Sequence, residues 1–485
     1  MAKEYRMYMD GEWVDAASGE TFDDYNPYTG EVFAKVAAAR KVDARRAVDA
    51  AAAAFPAWSA TPPAERAMYF LKAADILESR QQEIVEILKD ETGGTFGWGM
   101  FQTHFTPGLL RESAAQVHMV TGQIIPADLP GAFFMALRQP VGVVAGIAPW
   151  NAPLILSLRA VALPIAYGNT AILKPSSESP VSGGLVYAEI FEEAGFPKGV
   201  LNVLTNGPGF ADEVGHELIV DPRVRRISFT GSTEIGRQLA EKAGRHLKRV
   251  TLELGGSDPV IILRDADVDY AVNAATFGRF LHQGQICMSS KRIIVERPVA
   301  DEFIEKFVKK ASSLKVGDPR EPDTVIGPLI NQTQLDKLRE QVDEAIARGA
   351  NLLCGGKYEG LCYYPTVLTD VTEDMKVFSE ETFGPVAPVI VVEDTEEAIR
   401  VANNSRYGLS AGVITRDFEK GLSIAERLET GMVHINDSSV HDEPQVPFGG
   451  VKDSGWGRHG GLAALEEFTE LRWITMQRTP RQYPF

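Results

Sequence analysis

Cysteine is almost missing from this chain: Cys287, Cys354 and Cys362 are the three in 485 residues, and no two of them form a C-x-x-C pair. So sparse and odd a set excludes a disulfide framework and a structural zinc site. It fits a reducing compartment. Basic charge is in deficit as well: 49 Lys and Arg face 66 Asp and Glu, for a formal net charge of −17. Non-specific binding to nucleic acid or to an anionic membrane surface needs a basic patch, so neither partner is expected. Long apolar runs are also lacking. One of the longest, residues 141–148, falls far short of the ~20 residues that a membrane span needs. The opening MAKEYRMYMDGEW has no apolar h-region, so no secretory signal is visible and the cytoplasm is the expected location.

What is present is ordinary globular composition, 44% hydrophobic and 24% charged. At roughly 150 residues per domain the length suggests two or three domains. Residues 1–35 alternate short apolar pieces with turn signals, at Asp10 and Gly11, Asn26 and Pro27, and Thr29 and Gly30, and read as small strands or an arm. Alanine-rich residues 42–55 predict a helix, and a second is expected over 64–91 after Pro62 and Pro63. From there short apolar runs recur, each closed by Gly or Pro and followed by an amphipathic stretch: VGVVAGIAP, TAILKP, VLNVLT and RRISFTG. A second series runs through DPVIILRDAD, KRIIVE, PVAPVIVVE and GMVHIN. This alternation is that of a parallel sheet covered by helices. The expected fold class is therefore α/β, with two lobes meeting near residues 253–258. The final LRWITMQ alternates like a strand, and with no core of its own it suggests pairing with another subunit.

Several side chains in this frame suit chemistry. Cys287 follows Gly284 and precedes the strand KRIIVE, a junction where backbone and ligand approach closely; a buried inert thiol is the bland alternative. Glu253 ends an apolar strand before Gly255 and Gly256 and suits a general base, or is a solvated strand-end charge. Asn151 lies between prolines in APWNAP, where a fixed amide suits an oxyanion, or caps a turn. Lys174 ends a predicted strand, where open α/β sheets place ligands. Gly231 and Ser232 start a helix, where free N–H groups receive phosphate. Cys354 and Cys362 flank a glycine-rich turn and read as structural. We see no metal-spaced ligand cluster.

Taken together, APWNAP, ILKPS, FTGST, LELGG, GQICMS, EETFGP, PFGG and the GWGR segment resemble the motif series of the aldehyde dehydrogenase superfamily, from about residue 5 to 477. The resemblance implies an NAD(P)-dependent oxidation of an aldehyde to a carboxylic acid, with Cys287 as nucleophile, Glu253 as general base and Asn151 as oxyanion donor. Ala148, Pro149, Trp150, Lys174, Ser176, Ser177, Gly207, Gly231, Ser232, Leu254 and Gly255 match cofactor-contacting positions. Glu381 and Phe383 match the residues that hold the nicotinamide ribose and ring, and Gln334 and Lys337 reach toward the adenosine. The family fold implies two doubly wound lobes: a Rossmann-like cofactor domain (residues 1–118 and 141–252) and a catalytic domain (253–455). It also implies a small β oligomerisation element (119–140 and 456–485), hence a homodimer or homotetramer.

Two departures carry weight. Members that prefer NAD usually have Glu three positions after the lysine of ILKP, and here that position is Ser177, so NADP is expected to be tolerated beside NAD. Many members acting on small aliphatic aldehydes have Phe directly after the oxyanion Asn, and here it is Ala152. The space freed suits a planar ring, with Leu156, Met288 and Phe448 around it. Two turns on, Arg159 is a cation for a phenol, phenolate or carboxylate, or else a structural ion pair. This local pattern is most similar to bacterial aromatic aldehyde dehydrogenases acting on benzaldehyde, vanillin or salicylaldehyde. The alternatives are a succinate-semialdehyde-type or broad aliphatic enzyme and, remotely, a non-catalytic protein that kept the fold.

Overall fold

Strands whose residues are apolar without interruption can only sit in sheets covered on both faces, and the two apolar series form two such sheets. The structure, a computed structural model, describes residues 3–485; the first two residues of the expected N-terminal arm lie outside it. In the first sheet Val143–Ile147 lies at the centre, flanked in parallel by Thr170–Lys174 and Val224–Thr230, with Leu201–Val203 and Arg249–Glu253 parallel beyond them. Antiparallel edges close it: Gly455–Trp456 on one side, Met7–Met9 and Glu12–Val14 on the other. The second sheet runs Asn351–Cys354, Thr366–Thr369, Val386–Val392, Ser290–Glu296, Asp258–Ile262, Gly412–Ile414 and His434–Ile435. The chain passes from one sheet to the other between Glu253 and Asp258.

Helix Pro153–Ala166 is the hub of the first lobe. Proline at its first position presets the backbone, and all its residues are buried, Arg159 included. A charge placed there needs a partner.

The helices depart from expectation in two places. The helix expected over 64–91 is two helices, Pro63–Ser79 and Gln81–Thr92. The backbone leaves the helical region at Arg80, whose guanidinium is held by Glu83 and Glu189. Helix Phe96–Gln116 was not anticipated; it is buried on several sides and carries glycines and Pro107, which erases the one-sided apolar stripe that marks a helix. The strand of LRWITMQ, grouped with residues 119–140 in the sequence, pairs with them in its own chain. Thr469–Gln477 pairs antiparallel with Ala132–Pro140 along its whole length, and Gly122–Ile125 completes a three-stranded sheet. That sheet leaves Ile124, Leu137, Leu471 and Trp473 exposed. Among the described residues no helix is long and apolar enough to cross a membrane.

Candidate active site

Parallel strands present their C-terminal ends on one side, and ligands of α/β sheets bind there. Four neighbouring strands of the first sheet deliver the expected residues to that side. Val143–Ile147 leads to Asn151, Thr170–Lys174 ends on Lys174, Val224–Thr230 leads to Gly231 and Ser232, and Arg249–Glu253 ends on Glu253. The second lobe faces them with Cys287, just before strand Ser290–Glu296, and with Glu381 and Phe383, just before Val386–Val392.

Between the lobes lies a cavity of about 150 Å³, whose wall brings together Asn151, Cys287, Glu381 and Phe383. Pro149, Trp150, Leu156, Gly231, Ser232, Leu254, Gly255, Gln334 and Lys337 complete it with Thr230. Pro149, Trp150, Gly231, Ser232 and Gln334 also line a second, wider groove of about 520 Å³ that continues to Ala148, Lys174, Ser176 and Ser177. Glycines at this junction are dictated by space. A Cβ on Gly255 would stand 2.5 Å from Glu381 Oε2, and one on Gly256 2.6 Å from the Cys287 carbonyl oxygen.

The polar groups are held in place. The Asn151 side-chain amide donates to the Gln285 carbonyl at 3.0 Å, and its backbone carbonyl accepts from the Trp98 indole at 3.2 Å. One side-chain N–H therefore remains to point elsewhere. Glu381 Oε1 accepts from the Gly256 amide at 3.1 Å. Trp150 meets the Phe383 ring edge-on, with centroids 5.6 Å apart.

Burial dominates the electrostatics. Both carboxylate oxygens of Glu253 are buried without a hydrogen-bond partner. That pushes its pKa well above the usual carboxylate range; Arg159 and Arg458 pull it back, and Asp442 adds to the rise. The Cys287 thiol is pushed up to about 12 by burial, against the opposing pull of Lys291. Burial brings Lys174 down to about 8; its ammonium donates to the neighbouring Pro175 carbonyl at 3.2 Å. Ser232 caps helix Thr233–Arg245, its hydroxyl accepting from the Ile235 amide.

A helix N-terminus, a buried lysine and glycine-lined walls form a groove suited to a phosphate-bearing cofactor. The aldehyde dehydrogenase family model matches residues 13–474. This chain belongs to the aldehyde dehydrogenase family. It is an oxidoreductase acting on aldehydes, in a family that uses NAD(P). Vanillin dehydrogenase of Pseudomonas fluorescens is 47% identical over 474 residues, 98% of each chain. Benzaldehyde dehydrogenase (NAD(+)) of Pseudomonas putida is 44% identical over 482 residues, 99% of this chain and 98% of that one. The crystal structure of a salicylaldehyde dehydrogenase from Pseudomonas putida G7, complexed with salicylaldehyde, superposes with a TM-score of 0.98 at 42% identity and covers 100% of both chains.

Not every expected residue of the dehydrogenase lines the cavity. Glu253 lies behind the wall, its Oε1 facing the backbone of Gly449, where a Cβ would come within 2.7 Å. Gly207 packs on Phe22, away from both cavities. Ala152, Leu156, Met288 and Phe448 share one apolar cluster, with Cys287 and Phe101 packed against it. Arg159 requires a correction. It presents no free cation to this space, because its guanidinium is paired with Asp442 at 2.5 Å, both side chains being at most 5% exposed. It also covers the Phe448 ring at 4.4 Å. A helix interior without water forces such a pairing.

Among the residues of the wider groove that escaped sequence reasoning are Ile235, Gln238, Leu239 and Lys242. They follow Ser232 at helical spacing, and that periodicity was the available signal.

Proposed function

We propose that this dehydrogenase oxidises an aromatic aldehyde, of the benzaldehyde, vanillin or salicylaldehyde type, to its carboxylic acid through a thioester on Cys287. The observation that carries the reading is the apolar cluster beside the sulfur, with Ala152 small and the cation expected for the substrate, Arg159, already paired. A flat apolar ring fits such walls. A distal carboxylate, as in succinate semialdehyde, finds no unpaired cation in Arg159. The named activities of relatives over nearly the full length support the same class.

The Cys287 thiolate adds to the carbonyl carbon, and its negative charge passes to the aldehyde oxygen. The free N–H of the Asn151 amide, fixed by the Gln285 and Trp98 contacts, donates to that oxyanion. A nicotinamide held by Glu381 and Phe383 would supply the hydride acceptor, and loss of hydride from the tetrahedral adduct leaves a thioester on Cys287. Glu253, whose pKa burial holds above the usual carboxylate range, accepts in its ionised form the proton of the water that attacks the thioester. Sulfur departs as thiolate and the acid is released.

Residues around the groove fit the cofactor. Lys174 and Ser177 would hold the adenosine ribose, Ser232 and the first turn of its helix the pyrophosphate, and Glu381 and Phe383 the nicotinamide end. Ser177 repels no 2′-phosphate, which supports NADP beside NAD. We assign residues 1–118 and 141–252 to cofactor binding and 253–455 to catalysis. The exposed apolar sheet of residues 119–140 and 456–485 we assign to a homodimer or homotetramer in the cytoplasm. NAD(P)H formation across substituted benzaldehydes, short aliphatic aldehydes and succinate semialdehyde tests the substrate class. The benzaldehydes are expected to give the highest kcat/KM; succinate semialdehyde outrunning them would overturn the reading.

A further inference from the structure

Lys291 is the second residue of strand Ser290–Glu296, four positions after the nucleophile, and its side chain is completely buried. A buried ammonium costs several kcal/mol unless its surroundings compensate, so the identity of its partners is informative. Its Nζ donates to the Cys287 carbonyl at 2.5 Å and the Ile286 carbonyl at 2.8 Å. It stands 3.5 Å from Glu381 Oε1 and 5.7 Å from the centre of the Phe383 ring. All four partners belong to the cavity wall or the nucleophile loop.

The next residue gives the contrast. Successive strand residues point to opposite faces, and Arg292, equally buried, donates to the carbonyls of Ser257, Val401 and Ala402 and to none of the nucleophile loop. Arg279 likewise spends its guanidinium on Val386, Ser289 and Thr382. Those two are structural cations. Lys291 alone of the three is turned onto the backbone of the reacting cysteine.

We propose that Lys291 is a positioning residue for the nucleophile: its buried ammonium, anchored on the carbonyls of Ile286 and Cys287, supplies the positive charge that lets the sulfur ionise among neighbouring carboxylates. The inference rests on Cys287 being the nucleophile. The charged groups facing the thiol are Glu253, Asp258 and Glu381, which all oppose ionisation, and Lys291, which favours it. Lys291 itself faces Glu381, Asp258, Arg279 and Cys287. The step it favours is loss of the Sγ proton to solvent, which leaves on sulfur the electron pair that attacks the carbonyl carbon.

The test reads the sulfur directly. Full-length wild type, Lys291→Met, Lys291→Gln and Lys291→Arg are alkylated with iodoacetamide across pH without added cofactor, and Cys287 labelling is followed by peptide mass spectrometry. Lys291→Met is expected to raise the pH midpoint of labelling by about one unit or more, tenfold or more in the ionisation constant, or about 1.4 kcal/mol. Lys291→Gln, which keeps a donor for the carbonyls but no charge, shifts the same way. Lys291→Arg stays near wild type. If Lys291→Met fails to fold, Lys291→Gln carries the decision. Folded neutral variants with the wild-type midpoint overturn the proposal and leave Lys291 a packing residue. Failure of the underlying reading has a different signature: Cys287→Ala would still form NAD(P)H.

Discussion

The pairing of Arg159 with Asp442 decides whether that arginine is scaffold or substrate anchor, and a three-variant cycle separates the two. The pair is almost free of solvent and its hydrogen bond measures 2.5 Å. Asp442→Ala leaves a guanidinium that cannot lose its charge in the middle of helix Pro153–Ala166, at a cost of about 3–5 kcal/mol. Arg159→Met strands Asp442 instead and removes the guanidinium from the Phe448 ring, worth about 0.5–2 kcal/mol. Asp442 can escape by protonation, since burial already raises its pKa. Its folded value therefore lies above its unfolded one. The destabilisation of Arg159→Met is then small below the unfolded value, grows as pH rises, and is complete above the folded value. Arg159 Nε and Asp442 Oδ1 have no partner in the native protein, so the pair is not fully satisfied. Replacing both residues, as Arg159→Met with Asp442→Leu, should recover most of the single losses. Urea unfolding at fixed protein concentration, at pH 5 and pH 8, measures the whole cycle. An Asp442→Ala variant as stable as wild type, with a lowered KM for a carboxylate-bearing aldehyde, would refute this reasoning and return Arg159 to the substrate.

Two further outcomes follow from the site. Glu253 ionises at a pH above the usual carboxylate range because it is buried, so thioester hydrolysis is expected to fall off on the acid side at a higher pH than a solvated glutamate would give. The same burial makes its charge a liability to the fold above that pH. Glu253→Gln should be more stable than wild type at pH 8, equal to it near pH 3, and defective in hydrolysis; pre-steady-state NAD(P)H bursts and urea midpoints check both sides. Ser177→Glu places a carboxylate where the 2′-phosphate is proposed to lie and should reduce kcat/KM for NADP far more than for NAD. Equal losses would mean that residue 177 does not face that ribose.

The fold was legible where a strand is apolar end to end and a Gly or Pro closes it, as in VGVVAGIAP and RRISFTG, because burial on both faces leaves no other pattern possible. It was illegible where packing on several sides hides the period, as in Phe96–Gln116, and where an ion-paired side chain interrupts a helix, as at Arg80. Much of the candidate site was legible as motifs, since glycines and prolines that set close backbone approaches leave marks in sequence: Gly255 cannot accept a Cβ beside Glu381. Charge partnerships leave none. Asp442 stands 283 residues from Arg159, and Lys291 reads as one more basic residue until the carbonyls beneath the nucleophile are seen.

The central claim is a covalent acyl group on Cys287, and trapping it is the most direct measurement. Full-length Glu253→Gln, mixed with NAD and benzaldehyde, quenched in acid and digested, is expected to show one benzoyl group on the peptide carrying Cys287, formed in step with a burst of NADH. NADH released with that peptide unmodified, or the acyl group found on another residue, would contradict the account.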